Sequence, residues 1–215
     1  MTAAQNDRIE MHLPTGPDGR GLFIVFEGGE GSGKSTQAEI LAHRTGALLT
    51  HQPGATDLGM ALRGILLDGV AGEVAHRTEA LLMAADRAQH AEEVLLPALR
   101  SGRLVVCDRY IGSSVAYQGY GRGLDPDEIS HLSDWATGGL MPDVVVYLRV
   151  SPEEAAERTG VPRDRIEAAG ADFHRRVLDG FEAQAAGDPG CWVVVDGSGT
   201  VDEVTRRVTT SLTRR

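Results

Sequence analysis

Short apolar runs alternate along the chain with longer stretches in which apolar positions recur at helical spacing. The runs Leu22–Phe26, Ala47–Thr50, Leu104–Cys107, Val144–Val150 and Trp192–Val195 are rich in Val, Ile and Leu and short, and so predict five buried strands. Between them the periodicity predicts helices over Lys34–Arg44, Leu58–Leu67, Glu73–Arg100, Ser113–Tyr120, Pro126–Trp135, Pro152–Glu157, Ala171–Ala185 and Val201–Leu212, with Pro126 and Pro152 suited to first turns. Strand and helix alternating in this way build an α/β fold, a five-stranded parallel sheet flanked by helices on both faces. Two interruptions read as mobile loops. Gly119–Gly123 is dense in glycine, and Arg158–Arg165 contains Thr159, Gly160 and Pro162, which break the helical period. Right-handed crossovers bring the loops after the strands to one sheet edge, where open α/β sheets bind ligands.

A length of 215 residues suits a single core, and the stretch 1–20, which mixes charge with Pro and Gly, reads as a flexible tail before one domain over 21–215. No uncharged apolar run approaches the roughly 20 residues that span a bilayer, and the N-terminus lacks an apolar signal region, so the expectation is a soluble, cytoplasmic protein without a membrane partner. Two cysteines, Cys107 and Cys191, each beside an apolar run, are expected to be buried, reduced thiols. The net charge of −10 argues against a nucleic-acid surface, which needs a basic face. An anionic ligand must then be held by a few local cations. Of the 21 basic residues, all but Lys34 are Arg.

That single Lys sits inside FIVFEGGEGSGKSTQAEIL: Gly28, four spacers, then Gly33-Lys34-Ser35, after a predicted strand and opening a predicted helix. This is the spacing and the context of a phosphate-binding P-loop. Gly28, Gly29, Gly31 and Gly33 let the backbone of Gly28–Thr36, with Glu30 and Ser32 between them, turn its amides inward, and the helix N-terminus adds partial positive charge. Lys34 supplies a mobile point charge for the phosphates of a nucleoside triphosphate, and the Ser35 hydroxyl suits Mg²⁺. A signalling GTPase would need an Asn-Lys pair after a later strand, but Asn6 is the only Asn and Lys34 is already placed. A motor or remodelling ATPase usually needs more chain, so a small kinase is the economical reading.

With four ordered blocks on the page, FEGGEGSGKSTQ, AADRAQH, DRYIGSSVAYQGYGRGLD and DRIE, the chain resembles thymidylate (dTMP) kinases from about Phe23 to the C-terminus. The resemblance implies a nucleoside monophosphate kinase fold with a short Arg-bearing lid at about 157–167, a homodimer, ATP and Mg²⁺ as cosubstrate and metal, and phosphorylation of dTMP to dTDP. It implies that Arg109 grips the dTMP phosphate, that Arg87 bonds a thymine carbonyl, that Ser114, Tyr117 and Gln118 border the base and sugar, and that Glu30 faces the acceptor 3′-hydroxyl. It further implies that Arg158, Arg163 and Arg165 act from the lid beside Lys34. Asp108, delivered by its strand to the same edge, can hold Mg²⁺ or its waters, while a structural Asp108-Arg109 pair and core packing of Tyr117 are the alternatives.

The match has gaps around the acceptor. His51-Gln52-Pro53-Gly54-Ala55-Thr56 stands where the family reads Arg-Glu-Pro-Gly-Gly-Thr, Met83 replaces the aromatic that stacks on thymine, and Arg149 stands where Asp is common. A related nucleotide kinase with another base preference, or a weakly active nucleotide-binding protein, is the other reading these residues allow.

Overall fold

The computed structural model describes residues 16, 19–67, 72–159 and 164–213. Five strands, β1 (Phe23–Glu27), β2 (Leu48–His51), β3 (Val105–Asp108), β4 (Val144–Arg149) and β5 (Trp192–Asp196), form one parallel sheet in the order β2-β3-β1-β4-β5. Nine α-helical segments are described: α1 (Lys34–Thr45), α2 (Asp57–Leu67), α3 (His76–His90), α4 (Leu96–Arg100), α5 (Ile111–Ser114), α6 (Pro126–Thr137), α7 (Pro152–Thr159), α8 (Ala171–Gly187) and α9 (Val201–Thr213).

Most strands run one residue beyond their apolar runs, and the extra residues are Glu27, His51, Asp108 and Asp196. Polar groups therefore line the carboxyl edge of the sheet, where hydrogen-bonded registers such as Phe26 opposite Asp108 and His51 opposite Asp108 hold them level. The interiors of β1, β3 and β4 are buried on both faces. The edge strands β2 and β5, also expected to be buried, leave Leu49 and Val194 exposed, because among the described residues no further strand flanks them on the outer side. Ile24, Phe26, Val106, Val146 and Leu148 pack with Leu41 of α1 and Val208 of α9 on one side. Phe23, Val25, Val105, Cys107 and Val145 pack with Leu95, Leu99 and Tyr110 on the other. Each such side chain contributes about 1.5–3 kcal/mol on burial, so the sheet is the rigid part of the molecule.

Local rules set the helix ends. Asp125 caps α6 by accepting from the amide of Asp127 at 2.8 Å, Pro126 follows at the first position, and Gly138 closes the helix with φ 61°. The predicted helix over Glu73–Arg100 begins at His76, because Ala75 is extended, and it continues through a wider π turn at Ala91–Leu95 into α4. The predicted helix at Pro152 extends to Thr159, so Arg158 and Thr159 belong to α7 and not to a loop.

Gly119–Gly123, expected as a mobile loop, is mostly helical. α5 passes into a π-helical segment over Val115–Gly121. The glycines here serve packing: a Cβ on Gly121 would stand 2.6 Å from the Phe173 ring of α8. Glycine was read as a breaker, whereas close approach of two helices was its cause. Cys107 is buried as expected and Cys191 is only half-buried. Arg20, beside the expected start of the domain, forks onto Asp143 at 2.8 and 2.9 Å, and Gly21 donates to the Leu99 carbonyl at 2.8 Å. Among the described residues no helix is long and apolar enough to cross a membrane.

Candidate functional site

Central strand β1 ends at Glu27 and releases the chain into the loop Gly28–Gly33 before α1. The loop turns through positive φ at Gly28, Gly31 and Gly33. A Cβ on Gly31 would meet the Ala155 carbonyl of α7 at 2.6 Å, so the glycine is a steric requirement there. Gly31, Gly33, Lys34, Ser35, Thr36 and Arg158 line a cleft of about 600 Å³. Lys34 is buried; desolvation lowers its pKa, and Arg109 lowers it further against the pull of Glu30. Among the described residues its Nζ has only a long bond to the Gly29 carbonyl, at 3.4 Å, and stands 3.9 Å from Glu30. A buried ammonium so thinly satisfied suits an incoming anion.

On the next strand, β3 delivers Asp108 beside the loop, and Ser35 Oγ donates to Asp108 Oδ2 at 2.5 Å. The other carboxylate oxygen, Oδ1, is buried with no partner among the described residues. A hydroxyl and a carboxylate with one oxygen left over are hard oxygen donors of the kind Mg²⁺ takes.

Arg109 follows Asp108 with φ 70°, a left-handed conformation unusual for a residue with a Cβ. The turn is held from outside. Glu27, buried, accepts from the amides of Tyr110 and Ser113 at 2.9 Å each and from Ser113 Oγ at 2.6 Å. Burial raises the Glu27 pKa, with Ser113 and Arg109 opposing. So placed, Arg109 aims its guanidinium at the phosphate loop, donating to the Gly28 carbonyl at 3.2 Å, to Ser113 Oγ at 3.0 Å and to Glu30. Tyr117 donates to the same Glu30 oxygen at 2.9 Å. Burial opposes the Glu30 charge, yet Arg109 and Lys34 hold its pKa at about 2. Arg109 is likewise held above its ordinary value: desolvation lowers it and the Glu30 carboxylate more than offsets that.

A second cavity of about 710 Å³ opens on the far side of this pair. Pro53, Met83, Arg87, Ser114, Tyr117 and Gln118, all expected at the acceptor, line it together with Glu30 and Arg109. Arg87 is buried and donates to Gln52, Ser133 and Ser114. Gln118 donates to Glu79 at 3.0 Å. Glu30 lines both cavities, so the Glu30–Arg109 pair stands where they meet.

The arginines expected in the lid divide. Arg158 reaches the phosphate loop, with Nη1 3.3 Å from the Gly31 carbonyl and Nη2 paired to Glu154 at 2.5 Å. Arg165 turns away to Glu79 and to the Leu66 carbonyl, and does not line the loop cleft. Arg163 lies outside the described residues. Arg149 pairs with Glu182 at the surface, away from both cavities. Glu27 and Glu79 were missed by the sequence reading. Their signal was present, since Glu27 interrupts a buried strand and Glu79 opens a helix on its buried face, but a carboxylate alone does not announce what it holds.

The comparisons agree with this geometry. A family model described as Thymidylate kinase matches residues 26–208. A thymidylate kinase of Cutibacterium acnes is 46% identical over 193 residues, covering 87% of this chain and 94% of that protein. One from Leifsonia xyli subsp. xyli is 45% identical over 206 residues, covering 92% and 96%. The crystal structure of thymidylate kinase from Ehrlichia chaffeensis superposes with a TM-score of 0.73 at 32% identity, covering 90% of this chain and 98% of that one.

Proposed function

The chain belongs to the thymidylate kinase family, and from that premise we propose that it transfers the γ-phosphoryl group of ATP to the phosphate of dTMP. The observation that carries this reading is the junction of the two cavities at Glu30 and Arg109. One cavity presents a glycine loop, Lys34 and Arg158 to a triphosphate, and the other presents Arg87, Met83 and Tyr117 to a nucleoside. The acceptor phosphate has a second pKa near 6, so its attacking oxygen is largely ionised at neutral pH and needs no strong base. Arg109 is charged at any physiological pH and holds that phosphate beside Glu30. Glu30, its pKa held at about 2 by Arg109 and Lys34, is anionic and would accept from the sugar 3′-hydroxyl. Tyr117 crowds the neighbouring side of the sugar, which favours deoxyribose. Lys34 and Arg158 stabilise charge on the transferring group, so catalysis is positioning and neutralisation.

Ser35 and Asp108 fit Mg²⁺, given the spare Asp108 oxygen. Held there, the ion would neutralise phosphate charge during transfer. Of the lid arginines, Arg158 is the catalytic one in this reading and Arg165 anchors the lid. We place the domain at 21–215 and the lid at 157–167. A homodimer is supported by exposed apolar side chains on the adjoining helices α2, α3 and α6, namely Leu58, Met60, Ile65, Leu81 and Trp135. The buried thiol of Cys107 fits a reducing cytoplasm.

An ADP-release assay across a panel of nucleoside monophosphates tests the reading. Turnover with dTMP about tenfold or more above every other acceptor supports it, and absence of turnover with any acceptor sinks it.

A further inference from the structure

Gln52 follows β2 directly, is buried, and lines the same cavity as Met83, Arg87 and Ser114. Arg87 Nε donates to its Oε1 at 3.2 Å. A guanidinium only donates, so chemistry fixes which way the amide faces: the oxygen toward Arg87, the nitrogen away from it. That nitrogen is buried and has no acceptor among the described residues. Two N–H groups withheld from water and left unpaired are costly, and a ligand atom that accepts from them removes the cost.

Arg87 points to the same need. Among the described residues its three hydrogen bonds run to neutral oxygens, those of Gln52, Ser114 and Ser133. Desolvation lowers its pKa, and Tyr110 and Asp86 oppose that from outside hydrogen-bonding contact. Had position 52 carried a carboxylate, the guanidinium would be paired within the protein. With Gln52 it is not, and this wall of the cavity offers a cation and an adjoining amide donor to whatever sits against it.

We propose that Gln52 is a specificity residue, donating from Nε2 to an oxygen of the acceptor's base beside Arg87. The pair selects a pyrimidine whose edge carries carbonyl oxygens. A base presenting an amino group there, as cytosine does, sets donor against donor. The proposal rests on the reading that this cavity holds the base of dTMP.

A Gln52 whose only task were to orient Arg87 would act through Oε1. Gln52→Glu keeps and strengthens that bond while deleting the donor, so it separates the two roles. The expected result is a KM for dTMP raised about tenfold or more, an unchanged KM for ATP, and a ratio of dCMP to dTMP use that rises. Gln52→Met, of similar length but with no amide, also raises the KM for dTMP and gives no gain with dCMP. It stands in should the buried carboxylate prevent folding, which thermal melting detects. A folded Gln52→Glu or Gln52→Met enzyme with the wild-type KM for dTMP overturns the proposal. If Arg87→Gln loses dTMP binding while Gln52→Glu keeps it, only the role of the amide fails. If neither variant loses it, the placement of the base fails as well.

Discussion

Arg165 Nη2 donates to Glu79 Oε2 at 2.7 Å, and Glu79, fully buried, accepts at the same time from Arg122 and from Gln118 on the wall of the acceptor cavity. One carboxylate thus ties the base of the lid to a residue bordering the proposed acceptor. This separates two arginines that are only seven positions apart. Arg158→Ala should lower kcat by on the order of 10²- to 10³-fold, as loss of a cation aimed at transferring phosphate does. Arg165→Ala should lower kcat far less. Glu79→Ala leaves two cations and an amide without their partner and should destabilise the fold by about 3–5 kcal/mol. Steady-state kinetics and urea unfolding of the three variants check this; equal kcat losses for the two arginines would count against an anchoring role.

Met83 lines the acceptor cavity and packs against the cluster around Tyr117 and Phe173. In the proposed reading a thioether gives the base contact without a ring face. Met83→Phe should strengthen dTMP binding by about 0.5–1.5 kcal/mol, a KM several-fold lower, if the ring stacks. Titration calorimetry with dTMP reads this directly, and weaker binding would mean that the wall cannot accommodate the ring.

Ser35 and Asp108 share a short hydrogen bond and leave one carboxylate oxygen unpaired. Ser35→Ala should raise the Mg²⁺ concentration that supports half-maximal turnover, and EDTA should abolish turnover in the wild type. A Mg²⁺ dependence identical in variant and wild type would remove Ser35 from the metal.

His90 is fully buried and bonded to Thr50 through Nε2 at 2.7 Å. Desolvation, assisted by His51 and Arg87, pulls its pKa down to about 4. The unfolded chain takes up this proton near pH 6.5, so the contribution of His90 to stability is complete above that value and lost as pH falls toward 4. Moving from pH 7 to pH 4.5 should therefore cost the wild type about 2 kcal/mol more than it costs His90→Gln. Urea midpoints at the two pH values test the sign as well as the size.

Gly121 lies against the Phe173 ring of α8, where a Cβ would come within 2.6 Å. Gly121→Ala should destabilise the protein by about 1–3 kcal/mol, from forced displacement of α8 or of the ring. Differential scanning calorimetry would show it; a neutral effect would restore the view of this stretch as a compliant loop.

The sheet was legible because a strand buried on both faces writes itself as an unbroken apolar run. Its ends were not, because the site begins where the run stops: Glu27, His51 and Asp108 continue the hydrogen-bond ladder with polar side chains. The phosphate loop was legible from glycine spacing and a single Lys. The division between Arg158 and Arg165 was not, since nothing local to either records a partner as distant along the chain as Glu79. Gly121 misled for a related reason. Glycine marks both a chain that turns freely and one pressed against its neighbour, and only the packing of α8 tells them apart.

The order β2-β3-β1-β4-β5 makes β1 and β3 neighbours, and the one ends in the phosphate loop while the other ends in Asp108 and Arg109. Parallel strands lie about 4.8 Å apart. The sheet therefore works as a ruler, with its own hydrogen-bond spacing fixing how far the loop Gly28–Gly33 stands from Arg109 and so, in the proposed reading, how far the donor stands from the acceptor.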